Sequence, residues 1–114
     1  MDCDVVYIDV EAGSKRVLNN LKLYAKLLIK FKEDPAFNEL SAAFAAGDME
    51  KARVANHALK GLSANLSLIE LNKQSIILET QIKAGFAEPQ RIELFNNVYA
   101  QTLIELEKVI NQNV

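Results

Sequence analysis

The chain has 114 residues, 50% of them hydrophobic and 25% charged, with a formal net charge of -2. That balance suits a single globular domain spanning 1–114, excludes a disordered chain, and argues against affinity built on neutralising nucleic-acid phosphates. No apolar run approaches the roughly 20 residues needed to cross a bilayer, and Asp2, Asp4 and Asp9 give the start none of the basic character of a secretion signal, so a cytoplasmic protein is expected. Cys3 is the single cysteine, which leaves no internal disulfide and no thiolate metal site.

Residues 2–10, D-C-D-V-V-Y-I-D-V, are too acidic and β-branched to assign to a helix, and an extended path over the rest of the domain is the alternative. From Val17 the positions Leu21, Tyr24, Leu28 and Phe31, supported by Leu18 and Ala25, recur at helical spacing and predict a first long helix. Asp34-Pro35 then punctuates the chain: aspartate suits an N-cap and proline the first turn. A shorter helix carrying Phe37, Leu40 and Phe44 should therefore run to about Ala46. Gly47-Asp48 ends it and caps a third helix over 48–66, with Ala55, Leu59, Leu62 and Leu66 on its inner face.

The next segment carries core contacts at Leu71, Leu78 and Ile82 and stops near Gly85. Pro89 opens the last helix, where Ile92, Phe95, Tyr99, Leu103, Leu106 and Ile110 sustain one apolar stripe that partner helices must cover. No strand-like alternation of comparable length appears. Short connections make successive helices antiparallel, so the expected fold is all-α: an up-down four-helix bundle with one or two additional short N-terminal helices.

His57 is the one histidine of the chain, in the run N-H-A-L-K-G-L-S-A-N. At about 100° per residue, His57, Lys60, Gly61 and Ala64 share the face opposite the core stripe, so the imidazole points outward. A metal role is poorly supported, because there is no second histidine, no thiolate pair and no Glu-x-x-His pattern. A nucleophilic role is chemically coherent, since an exposed imidazole offers an unprotonated ring nitrogen near neutral pH that can accept a phosphoryl group. Lys60, one turn on, can neutralise part of the phosphate charge. Gly61 costs about 1 kcal/mol relative to alanine inside a helix, which asks for either the close approach of a partner or tight helix packing.

The segment H-A-L-K-G-L-S-A-N, His57 to Asn65, resembles the signature of histidine-containing phosphotransfer (HPt) domains of multistep phosphorelays. L-K-L-Y-A-K-L-L-I-K-F at 21–31, A-A-G-D at 45–48 with Ala52-Arg53, and I-L-E-T-Q-I-K-A-G ending at Gly85 follow in the family's order and spacing, and the resemblance covers about residues 9–110. It implies that His57 takes a phosphoryl group from the aspartate of a response-regulator receiver domain and passes it to another, within two-component signalling that starts at a hybrid sensor histidine kinase. The partner receiver would supply Mg²⁺ and most transition-state stabilisation. The domain itself would need no cofactor, ATP site or kinase activity, and a monomer is expected. No glycine-rich nucleotide loop occurs.

By the same resemblance Glu79 falls where the family places a glutamine or glutamate near the histidine, able to orient the imidazole through its other ring nitrogen. Lys83 either adds positive potential there or forms a surface pair with Glu79. Ser67 stands where family members usually carry glycine, and its side chain is expected either to tighten the end of that helix or to alter how a receiver packs, a change read as a shift in specificity and not as loss of function. Ala64, Leu68 and Ile76, with residues near Val10, are candidates for docking a receiver, the alternative for Leu68 and Ile76 being peripheral core. Two other readings stay open: a helical adaptor that binds receivers or a kinase without carrying phosphate, and the phosphoacceptor domain of a chemotaxis-type kinase. Met1 and the polar Asn111-Gln112-Asn113 end suit a free-standing module.

Overall fold

A computed structural model describes residues 5–113, so Met1, Asp2, Cys3 and Asp4, with the thiol and acidic start considered above, lie outside the described residues. These form six helices and no strand: α1 (Val10–Lys15), α2 (Leu21–Glu33), α3 (Ala36–Ala46), α4 (Met49–Asn65), α5 (Ile69–Lys83) and α6 (Pro89–Asn113). α4 lies against both α3 and α5, α5 against α6, α6 against α2, and α1 rests on α2. The all-α bundle with short additional helices is the architecture expected from the apolar periodicity. Among the described residues no helix is long and apolar enough to cross a membrane.

Each boundary has a local cause. Residues 5–9 are not helical, and their backbone pairs with the α4–α5 connection: Asp9 N donates to Ser67 O (3.0 Å) and Ile69 N donates to Tyr7 O (2.8 Å). Asp9 then caps α1 by accepting from Ala12 N. The long helix expected from Val17 begins four residues late, at Leu21. Leu18 (φ 56°) and Asn19 (φ 62°) turn through the left-handed region, and the side chain of Asn20 caps α2 at Leu23 N. Leu18, placed by its spacing on the inner stripe, is instead 93% exposed.

From there the stripe holds, with Tyr24, Ala25, Leu28 and Phe31 buried. Asp34 Oδ1 accepts from Ala36 N at the start of α3. Gly47 adopts φ 71° at its end, and Asp48 caps α4 at Lys51 N. Leu40 is buried, while Phe37 and Phe44 are half-buried against the core. Phe37 stacks on Tyr99 with ring centroids 3.8 Å apart, which fastens α3 to α6.

The α4–α5 seam is more polar than the apolar pattern suggests. Asn56 and Ser63 are buried on α4, and Ser75 on α5. Asn56 Nδ2 donates to Ser75 O (3.0 Å), and Asn72 Nδ2 donates to Lys60 O (3.0 Å) and Ser63 Oγ (3.2 Å). The two bonds to main-chain carbonyls, of Ser75 and Lys60, fix how far one helix can slide along the other. α6 buries Phe95, Val98, Tyr99, Thr102, Leu106 and Ile110, with Thr102 Oγ1 donating back to Val98 O.

Candidate functional site

Helix α4 divides its circumference between two tasks. Ala52, Ala55, Asn56, Leu59 and Ser63 face inward and are buried. His57, Gly61 and Ala64 are exposed on the other side, with Lys60 half-buried at the edge towards α5. Packing on two neighbours holds the helix, so the imidazole stands on a rigid support without being drawn into the core.

Gly61 has open space around it: a Cβ built there meets nothing within 4 Å. Tight packing within the protein is therefore not the reason for this glycine. What its missing side chain leaves is a bare stretch of helix one turn after His57. Val54, one turn before His57 and 56% exposed, adds an apolar contact to this face that the core-stripe reading passed over. Its 54-57-61 spacing was the available signal.

Lys60 does not extend freely into solvent. Its Nζ donates to both carboxylate oxygens of Glu79, at 3.1 and 3.0 Å, bridging α4 and α5. The side chains retain 30% and 22% of their exposure, so the pair is partly shielded. The hydrogen bond from Lys60 is the main reason the Glu79 carboxyl is held below the usual carboxylate range. Burial opposes it, and the charges of Lys60, Lys83 and His57 add to it in that order.

This corrects the role expected of Glu79. Its carboxylate is occupied by Lys60, and among the described residues no hydrogen bond joins it to the imidazole, although His57 is near enough for its charge to be felt. Lys83 contributes positive potential but forms no ion pair with Glu79. Among the described residues no group of three or more histidine, cysteine, aspartate or glutamate side chains is placed to hold a metal ion.

The docking candidates separate. Ala64 and Ile76 are exposed, Ile76 by 49%. Leu68 is 0% exposed and belongs to the core, so its assignment to a docking surface is wrong. The cause is Ser67, which takes φ 57°, turns the chain out of the α4 helical path and sends the next side chain inward. Val10 likewise packs against the core. Ser67 itself is buried, and its Oγ accepts a 2.7 Å hydrogen bond from Arg16, which also donates to Asn65 O. A left-handed residue after a helix is where glycine is ordinarily favoured, so the serine's main effect here is on the end of α4.

No protein-family model matches this chain, and neither does any curated protein or solved structure.

Proposed function

We propose that this chain is a histidine phosphotransfer domain in two-component signalling, with His57 as the phosphoacceptor. The observation that carries the reading is the exposed imidazole on a packed helix, with a cation one turn away and open space at Gly61 beside it. The run His57 to Asn65 and its resemblance to the HPt signature point the same way.

In this reading a neutral ring nitrogen of His57 attacks the phosphorus of a receiver's aspartyl phosphate. An N–P bond forms as the P–O bond to the aspartate breaks, and the carboxylate leaves with the electron pair. The reverse step hands the group to a second receiver. Mg²⁺ belongs to the receiver, whose site supplies most of the charge stabilisation, and this chain supplies a positioned nucleophile, the nearby charge of Lys60 and a surface that receivers can approach. It is a phosphoryl carrier without kinase activity of its own, and such a relay works in the cytoplasm.

The test is transfer of labelled phosphate from a panel of phosphorylated receiver domains to wild type and to His57→Gln. Acid-labile label on wild type that disappears in the variant is the expected result. No label from any receiver on a folded protein would turn the reading towards an adaptor or an ATP-kinase substrate. An adaptor would keep its effect in His57→Gln.

A further inference from the structure

Lys60 stands one turn after His57 on α4, where it can meet a phosphoryl group on the histidine, and it is already engaged. Both Glu79 oxygens lie within 3.1 Å of its Nζ. Its backbone carbonyl accepts from Asn72 Nδ2 and from Ser63 Oγ, so the stem of the side chain leaves from a fixed point.

We infer that Glu79 competes with the phosphoryl group on His57 for Lys60, and that it is a positioning residue limiting how much phosphate the histidine retains. The inference rests on the phosphotransfer reading. A phosphoryl dianion on His57 either draws the ammonium away from Glu79, leaving a carboxylate uncompensated beside it, or goes without that cation. Either way the negative charge of Glu79 disfavours the phosphorylated state and favours release to the next receiver. The exposed Lys83 lowers this opposition without removing it, because it is not paired with Glu79. A glutamine at this position can still accept from Lys60 but carries no charge, so it isolates the effect.

The experiment equilibrates one phosphorylated receiver with the full chain as wild type, Glu79→Gln, Lys60→Met and the double variant. Label is counted on each partner at low salt and at high salt, and thermal unfolding checks that every variant is folded. Glu79→Gln should raise the ratio of phosphorylated to free His57 about threefold at low salt, the scale of one partly exposed ion pair. The difference should shrink in about 1 M salt, where exposed charges are screened. Lys60→Met should lower the ratio more in the Glu79→Gln background than in wild type, because there a neutral amide competes for the lysine in place of a carboxylate. A ratio unchanged by Glu79→Gln, a gain untouched by salt, or strictly additive variants would overturn the competition while leaving His57 as acceptor. No label on wild type from any receiver would overturn the phosphotransfer reading and the competition with it.

Discussion

The hydroxyl of Tyr24, on α2, donates a 2.5 Å hydrogen bond to the backbone carbonyl of Leu66, the residue that ends α4. It ties the first long helix to the terminus of the helix that carries His57. The ring is fully buried, and burial is the main reason its pKa is pushed up to about 12; Asp9 raises it further and Arg16 opposes.

Tyr24→Phe should therefore cost about 1 kcal/mol at neutral pH, the net worth of one buried hydrogen bond. The folded pKa lies above the unfolded value, so the stability linked to this proton is fully present below about pH 10 and is lost as pH rises through about 12. Denaturant unfolding of both proteins across that range checks it. Wild type should lose its advantage over the variant, and a constant difference would mean that the phenol does not titrate in this way.

Two glycines should respond oppositely to alanine. A Cβ on Gly13 would lie 2.5–2.6 Å from the ring carbons and hydroxyl oxygen of Tyr24, so Gly13→Ala should cost about 1–3 kcal/mol through overpacking. Gly61→Ala meets no neighbour and should stabilise the helix by about 0.5–1 kcal/mol, while slowing phosphoryl transfer because the methyl occupies the approach to His57. Melting curves and single-turnover transfer rates separate the two. A stabilised Gly61→Ala with unchanged transfer would remove this glycine from the site.

At Ser67 two effects oppose one another. The left-handed backbone costs a non-glycine residue about 1 kcal/mol, and the hydrogen bond from Arg16 returns an amount of similar size, about 1 kcal/mol. Ser67→Gly relieves the strain and loses the bond, so its stability should stay within about 1 kcal/mol of wild type. Ser67→Ala keeps the strain and loses the bond, and should be the less stable of the two in equilibrium unfolding.

Ala64 and Leu68 lie four residues apart, the first exposed and the second buried in the core. Ala64→Glu, on the exposed face, should leave thermal stability nearly unchanged and slow transfer from receivers by about tenfold, the scale of a disrupted contact worth 1.4 kcal/mol. Leu68→Ala should cost about 2–5 kcal/mol, because a fully buried side chain is removed from the core. A transfer rate that survives Ala64→Glu would place the docking face elsewhere.

The sequence was most informative where apolar spacing and punctuation agree. Tyr24, Leu28 and Phe31, then Leu71, Leu78 and Ile82, then Phe95, Tyr99, Leu106 and Ile110 are buried as their periodicity predicts, and Gly47, Asp48 and Pro89 mark real helix boundaries. The misplacements of Leu18 and Leu68 share one cause. Helical periodicity ends where the backbone enters the left-handed region, at Leu18-Asn19 and at Ser67, and serine or leucine there does not mark the turn as glycine would. Asn56, Ser63, Ser75 and Thr102 were invisible to a pattern that counts apolar side chains. The position of Glu79 near His57 was legible, but its partner was not. One ammonium and one imidazole were both within plausible reach, and only the side-chain geometry chooses between them.

The pairing of Tyr7 and Asp9 with Ser67 and Ile69 bears on the order of folding. Helices α3, α4 and α5 meet their neighbours in chain order and need only short loops closed, a topology that favours rapid assembly. Docking of residues 7–9 must wait until the corner between α4 and α5 exists, and it encloses nearly 60 residues of chain, for which loop closure is entropically costlier. This clamp is therefore expected to form late and to open early. Substitutions in it should accelerate unfolding more than they retard folding, making the N-terminal segment a kinetic fastener on a bundle assembled before it.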